Sequence, residues 1–243
     1  MKTSWARTRA HTGWELRLLL RNSEQLLLVF IIPIVLVLAL GLTSFVPGGI
    51  DGAIPKVLSI SVLATCFTSL AIATGFERRS GALRFLATTP LTRTNLLAGK
   101  AIATAIVTLL SMLVVLLLGV LLGWRPSGAW PISILIVLLA AFTFATWGLF
   151  LAGALRAEAV LAVANGVFLT LILFGGIIIS PDQMPDVLGS IIEFTPSAAL
   201  VEALNIALAS KAPGTASLLM PAIVRAVWGA IGALLARRYF RWE

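Results

Sequence analysis

Residues 101–123 read AIATAIVTLLSMLVVLLLGVLLG, an apolar run without a single charged side chain. At about 1.5 Å of rise per residue, a helix over this run would be roughly 34 Å long, which is enough to cross a hydrocarbon core of about 30 Å. The rest of the 243-residue chain has the same character: 59% of its residues are hydrophobic, 12% are charged, and the mean hydropathy is +1.04. The sequence therefore predicts an integral membrane protein.

Apolar runs of similar length recur along the chain, and charged residues separate them. We place six transmembrane helices by this pattern, at 26–45, 57–76, 101–123, 131–155, 159–180 and 217–235. The polar remainder forms three notable segments, at 1–25, 77–100 and 181–216. None of them is long enough to fold as a separate soluble domain, so we predict one all-α transmembrane domain over 1–243.

Positive charge is distributed unevenly between the two sides of these six predicted spans. Of the 18 Lys and Arg residues, Lys56, Arg125 and Lys211 fall on one side and Arg225 falls within the last span. The other 14 share the opposite side with both termini: Lys2, Arg7, Arg9, Arg17, Arg21, Arg78, Arg79, Arg84, Arg93, Lys100, Arg156, Arg237, Arg238 and Arg241. The positive-inside rule predicts a protein of the cytoplasmic (inner) membrane with both termini in the cytoplasm. Because topology accounts for the net charge of +8, we expect no nucleic-acid partner.

Several classes of chemistry are excluded by counting residues. With one cysteine, Cys66, and one histidine, His11, the chain has no internal disulfide and no Cys/His metal site. The predicted spans contain no Asp or Glu, which argues against ion-coupled transport. The pair Gly99-Lys100 lacks the flanking glycine and Ser or Thr of a phosphate-binding loop. We therefore predict no catalytic residues, no metal and no cofactor in this chain, and any ATP must be bound by a partner.

The N-terminal segment 1–25 places Leu16, Leu19 and Leu20 at helical spacing, with Arg17 and Arg21 on another face. This pattern predicts a helix that lies in the cytoplasmic interface and contacts membrane lipid. A solvated basic segment that only obeys the positive-inside rule is the alternative.

The segment 77–100 contains Leu83, Leu86 and Ala87 at positions i, i+3 and i+4, flanked by Arg79 and Arg84. This spacing predicts a short helix with a small apolar stripe. Pro90 should end that helix, and Thr92 can cap the next one. A rigid cytoplasmic helix between two spans would suit a docking partner, whereas an ordinary basic loop is the alternative.

The segment 181–216 divides into two apolar pieces that are too short to cross a membrane, as in a re-entrant or interfacial hairpin. Glu193 and Glu202 should then lie near the outer mouth, where the hairpin would be either a substrate gate or a simple lid. Arg225 is the one charge within an apolar span, and it would serve as a structural anchor or contact an anionic headgroup. The candidate substrate pathway comprises Thr65, Thr68, Asn165, Glu193, Glu202 and Arg225.

The chain resembles a known family in three places. Its central loop, with Glu77, Gly81, Leu86, Thr89-Pro90-Leu91, Arg93 and Gly99-Lys100, looks like the loop between the second and third helices of ABC-2-type exporter permeases. Arg21-Asn22 and Pro33 are similar to the start of that family. Ser180-Pro181, Met184-Pro185, Thr195-Pro196 and Glu202-Ala203-Leu204 resemble its outer hairpin. Gly175-Gly176 and Asn205 depart from the residues that are common there.

The resemblance implies a permease subunit that pairs with a second permease, identical or homologous, and docks on two ATPase subunits that bind ATP and Mg. It further implies that residues 80–88 form the coupling helix, with docking residues Glu77, Arg79, Leu83, Arg84, Leu86 and Arg93. The expected activity is export of an amphipathic, drug-like or lipid-like substrate by alternating access. A membrane assembly or scaffold protein that recruits a partner other than an ATPase is the alternative function.

Overall fold

The computed structural model describes residues 2–43, 46–126, 130–208 and 215–240, and the regular elements in these ranges are helical. The α-helices are α1 (Lys2–Arg21), α2 (Ser23–Leu26), α3 (Ile32–Gly41), α4 (Ile50–Val62), α5 (Leu70–Arg79), α6 (Ala82–Ala87), α7 (Arg93–Leu121), α8 (Ile132–Ala154), α9 (Ala157–Phe174), α10 (Asp186–Glu193), α11 (Pro196–Leu208) and α12 (Thr215–Tyr239). Two π-helical segments, Leu27–Ile31 and Leu63–Ser69, join α2 to α3 and α4 to α5, and Pro181–Gln183 forms a 3-10 turn.

Five helices in these ranges are long and apolar enough to cross a membrane: Ile50–Arg79, Arg93–Leu121, Ile132–Ala154, Ala157–Phe174 and Leu218–Tyr239. Each coincides with one of the predicted spans, so the prediction of an all-helical membrane protein is confirmed. The pair α10 and α11 meets at 81° and counts as a sixth candidate if the two helices are one broken span.

The first predicted span, at 26–45, differs from the structure. The apolar helix found there, Val29–Gly41, is shorter than the five that could cross. After Gly41 the chain turns at Gly48 and Gly49, whose positive φ values of 84° and 57° suit glycine, and α4 then begins at Ile50. Residues 44 and 45, the last of the predicted span, lie outside the described residues.

The central helix of the bundle is α8, which contacts α5, α7, α11 and α12. A Cβ atom on Gly148 would lie 2.8 Å from the carbonyl oxygen of Phe67, so glycine allows α8 to approach the π-helical segment Leu63–Ser69 closely. On its other side, Thr143 Oγ1 donates to the carbonyl of Arg225 at 2.9 Å. Trp147 Nε1 donates to the carbonyl of Trp228, also at 2.9 Å. Polar side chains of α8 are therefore satisfied by the backbone of α12.

The two ends of the bundle are distinguished by the segments that lie there. Arg78 donates to the carbonyls of Gly153 and Leu155, and Arg79 pairs with Glu158 at 2.6 Å, so α5 ends beside the α8–α9 junction. Because α6 follows α5 directly, we call this the α6 end. α9 leads from there to the opposite end, which we call the hairpin end because α10 and α11 follow it.

Candidate functional site

Helix α1 packs against α7 with a polar face. Thr8, His11, Thr12 and Glu15 recur at helical spacing and are buried, whereas the predicted apolar stripe is only half-buried at Leu16 and Leu19 and exposed at Leu20. A Cβ atom on Gly99 of α7 would lie 2.5 Å from His11 Cδ2, so glycine at this position permits the close contact. The helix of segment 1–25 is confirmed, but the face that it buries is the polar one. Trp5, Trp14 and Leu18 are exposed.

Lys100 is the centre of a buried charged group at the α6 end. Its side chain is 2% exposed, and its Nζ lies 2.8 Å from Glu15 Oε1 and 2.7 Å from Glu77 Oε2. These contacts join α7 to α1 and to the end of α5. We call His11, Glu15, Glu77 and Lys100 the Lys100 cluster. Glu15 and Glu77 are far apart in the sequence, but the structure brings both to one ammonium group.

His11 is the neutral member of the Lys100 cluster. Its Nε2 lies 3.3 Å from Glu15 Oε1 without forming a hydrogen bond to a described residue. Burial and, to a smaller extent, the positive charge of Lys100 lower the pKa of His11 from 6.5 to about 4, although the charge of Glu77 acts in the opposite direction. At neutral pH the cluster therefore combines a neutral imidazole with the ammonium group of Lys100 and the carboxyl groups of Glu15 and Glu77.

A cavity of about 90 Å³ lies beside the Lys100 cluster. Its lining includes the polar residues Glu15, Glu77, Lys100, Gln25 and Thr65 beside several apolar side chains, and it is large enough for a few water molecules. Thr65, a predicted pathway residue, therefore belongs to the α6 end.

Two other predicted pathway residues lie elsewhere. The Thr68 hydroxyl is buried and has no hydrogen-bond partner among the described residues. Asn165 is exposed on α9 and donates to the carbonyl of Leu161 at 3.0 Å within its own helix. The structure therefore does not bring Thr65, Thr68 and Asn165 together with the acids of the hairpin.

Helix α6 turns its leucines toward its own bundle rather than outward, which corrects the predicted docking stripe. Leu83 is fully buried and packs with Leu96 and Phe240, while Leu86 is half-buried against the same group. Phe85 lies on the opposite face and is 74% exposed. Gly81, with a φ of +82°, provides the left-handed residue from which α6 begins. The apolar side chain available to a partner is therefore Phe85.

The charged docking candidates divide between the interior and the surface. Glu77 is bound to Lys100 inside the chain. Arg79 forms its ion pair with Glu158 in an exposed position, and Arg84 and Arg93 are exposed on and after α6. Exposed arginines therefore precede and follow Phe85 in the chain.

The hairpin end contains a larger cavity, of about 520 Å³, whose lining includes Glu193 and Glu202. Arg225 lies beside it and is 1% exposed. Its Nε donates to the carbonyl of Pro221 at 3.0 Å, and its guanidinium makes a longer contact of 3.5 Å with the carbonyl of Ile136. Within the described residues Arg225 forms no ion pair with Glu202, so its nearest partners are backbone carbonyls.

Four residues that were not among the predicted site residues define these sites: His11, Glu15, Lys100 and Phe85. The polar stripe of α1, which includes His11 and Glu15 at i and i+4, was a usable signal for a buried face. No spacing rule connects Lys100 with Glu77, because they meet only when α5 and α7 pack. Within the described ranges, no three His, Cys, Asp or Glu residues are grouped closely enough to hold a metal ion.

The long apolar helices and the buried polar contacts between them are those of a multi-pass membrane protein. A model of the ABC-2 type transporter family matches residues 7–208, and the chain belongs to this family. Proteins of this family are the membrane components of ABC transport systems and generally work with a separate ATP-binding subunit. The resemblance to ABC-2-type permeases that the central loop and the hairpin residues indicate is therefore confirmed.

One relative among curated proteins is YvfS of Bacillus subtilis (strain 168), which carries the name of a transport permease. The two chains are 27% identical over 145 residues, which is 56% of this chain and 57% of the relative. The match thus covers little more than half of either protein.

Proposed function

We propose that this chain is the transmembrane permease subunit of an ABC exporter. It moves an amphipathic, drug-like or lipid-like substrate across the cytoplasmic membrane by alternating access, and a separate chain hydrolyses the ATP. The observation that carries the proposal is the construction of the α6 end. There, an exposed aromatic side chain projects from a short helix that is fixed between two spanning helices.

In the proposed topology six segments cross the membrane and both termini are cytoplasmic. The first crossing uses the continuous helical stretch from Ser23 to Gly41, and the pair α10–α11 forms a re-entrant hairpin. Fourteen basic residues then face the cytoplasm together with α6, which agrees with the positive-inside rule. The α6 end is cytoplasmic in this arrangement, and the hairpin end faces outward.

The proposed assembly contains two permeases, identical or homologous, and two ATPase subunits that bind ATP and Mg. Phe85 inserts into the ATPase, and Arg79, Arg84 and Arg93 supply positive charge around it. A large exposed aromatic side chain with basic neighbours has the composition of an interface hot spot.

Force on α6 reaches the bundle by two routes in this proposal. The first is apolar, because Leu83 packs against Leu96 of α7 and against Phe240 after α12. The second is ionic, because Glu77 at the end of α5 binds Lys100 of α7, which also binds Glu15 of α1. Packed cores and ion pairs transmit displacement as rigid-body movement of whole helices. Closure of the ATPase would thus move α1, α5, α7 and α12 together.

The hairpin gates the outer end in this proposal, with Glu193 and Glu202 facing the departing substrate. Helix α11 packs against α4, α8 and α12, whereas α10 is largely exposed, and the residue after it is held by a hydrogen bond from Trp228 Nε1 to the carbonyl of Phe194 at 2.9 Å. Ser197 Oγ donates to the carbonyl of Gly175 at 2.7 Å and fixes the start of α11.

The test is reconstitution of the permease with a candidate ABC ATPase subunit, sought first among the genes beside its own. Phe85→Ala should reduce co-purification of the ATPase and ATP-driven transport by about tenfold or more, the loss of one hot-spot side chain. The matched control is Phe174→Ala, which changes a residue of the same type that is 57% exposed at the opposite end. Undiminished binding and transport in Phe85→Ala would overturn the docking proposal, and transport without any ATPase would overturn the function.

A further inference from the structure

The cavity at the hairpin end has the size and composition of a small-molecule site. Its volume of about 520 Å³ is comparable to that of ligand pockets, which are roughly 300–1,000 Å³. Part of its wall is apolar, from Phe194, Val201, Ile206, Met220 and Val224. Three carboxylates, Asp182, Glu193 and Glu202, line the same space.

The nearest cations, Lys56 and Arg225, act on Asp182 and Glu202 through their charges at a distance, but their hydrogen bonds go to backbone carbonyls. Lys56 Nζ donates to the carbonyl of Ile178 at 3.1 Å, and Arg225 donates to the carbonyls of Pro221 and Ile136. Among the described residues, neither cation comes within ion-pair distance of Asp182, Glu193 or Glu202, and the two glutamates form no hydrogen bond. Among the described side chains at the cavity, these three acids and two cations give a formal charge of −1.

The arrangement fits a bulky cation better than a compact one. A divalent metal ion needs several oxygen ligands at about 2–2.6 Å, and no group of three acids in the described ranges converges in this way. Carboxylates spread along an apolar wall can instead attract a delocalised or shielded positive charge while the wall contacts the ligand's body. Phe194 adds an aromatic face, which favours a cation placed over it.

We propose that this cavity binds organic cations with an apolar body, and that such cations are the cargo held there before release at the hairpin end. The second part rests on the proposed function, because only a permease would deliver cargo to this cavity. The first part concerns the chain alone and can be tested without the ATPase.

Two probes of nearly the same shape and opposite charge test the binding. Tetraphenylphosphonium and tetraphenylborate each present four phenyl rings around one central atom. The purified full-length permease in neutral-lipid nanodiscs is dialysed against each labelled ion, and the uptake of protein-free nanodiscs is subtracted. We expect saturable binding of tetraphenylphosphonium and none of tetraphenylborate, since only a positive charge is attracted to the carboxylates.

Isosteric variants locate the binding. The double variant Glu193→Gln and Glu202→Gln should weaken tetraphenylphosphonium binding by at least about tenfold, since two attractive charges are lost. Asp186→Asn is the matched control, because Asp186 is an exposed acid of the same hairpin that does not line the cavity. Both glutamates are exposed, so amide replacements should leave the fold intact, as retention of the wild-type unfolding temperature would verify.

The results separate this inference from the proposed function. Equal binding by the double variant and the wild type, or equal binding of the two probe ions, would overturn the inference. ATP-driven transport of another cargo by the reconstituted pair would then leave the proposed function standing. Conversely, the permease could bind cations selectively through the two glutamates while the reconstituted pair hydrolyses ATP without moving any cargo. That result would support the cavity as a binding site and contradict the proposed function.

Discussion

Lys100 Nζ lies 2.8 Å from Glu15 Oε1, so an ion pair inside the protein joins the N-terminal helix α1 to the first turns of α7. The same ammonium binds Glu77 at the end of α5. One side chain thus holds together three elements that surround the α6 end. Its removal should affect the fold far more than the removal of a surface cation.

We predict that Lys100→Met lowers the free energy of unfolding by about 3–5 kcal/mol, because Glu15 and Glu77 would be left without a cation in the interior. Unfolding of the purified protein in detergent would measure the change. Arg79→Met is the control, because it breaks only the exposed pair with Glu158 and should cost at most about 1 kcal/mol. Adding Glu77→Gln to Lys100→Met should restore part of the loss. An equal loss of unfolding free energy in Lys100→Met and Arg79→Met would contradict the role given to Lys100.

We predict that acid destabilises the protein partly through His11. Its pKa is about 4 in the folded protein, against 6.5 without burial, so the unfolded chain binds more protons between these values. The free energy of unfolding should therefore fall as the pH is lowered from 6.5 toward 4, with a contribution from His11 of at most about 2 kcal/mol at pH 5.

Unfolding titrations of the wild type and of His11→Gln between pH 7 and pH 5 would measure this contribution as the difference between the two slopes. The variant should lose less stability over that range, because glutamine does not titrate. The same slope in both proteins would show that His11 does not contribute.

We predict that Gly148→Ala and Gly166→Ala have different effects. An alanine Cβ at 148 would lie 2.8 Å from the carbonyl oxygen of Phe67, a backbone atom that can yield only if two helices separate, and we expect a loss of about 1–3 kcal/mol. At Gly166 no atom lies within 4 Å of the added Cβ, so this control should unfold like the wild type. Thermal unfolding in detergent would compare them. Equal stability of the two variants would mean that α8 does not approach Phe67 so closely.

The spans were largely predictable from the sequence, because hydropathy reports on the solvent around a helix, and that solvent is lipid. The first span was not, since its apolar composition continues to Phe45 whereas the helix ends at Gly41. Hydropathy does not show where a helix ends within an apolar run. In the fifth span the helix likewise ends early, at Phe174, and Gly176 with its φ of +83° follows, although the apolar run continues beyond it.

The sites were less predictable, because they depend on which surfaces pack together. Leu83 and Phe85 are both apolar and lie on opposite faces of a six-residue helix, and periodicity alone does not say which one turns inward. Leu96 and Phe240 decide this, and neither is near α6 in sequence. By contrast, the placement of Glu193 and Glu202 on one hairpin followed from their order along the chain. The structure places both at one cavity, although their proposed role as a gate remains a prediction.

The burial of Phe240 beneath α6 has a practical consequence for handling the protein. Phe240 packs against Leu83, and a Cβ atom on Gly153 would lie 2.7 Å from its Cα, so the chain after α12 emerges beside α6. An affinity tag or fluorescent fusion attached at the carboxyl terminus would crowd the face to which a partner is expected to bind. Pull-down studies should therefore use a label placed in the loop between α7 and α8, at the far end of the bundle.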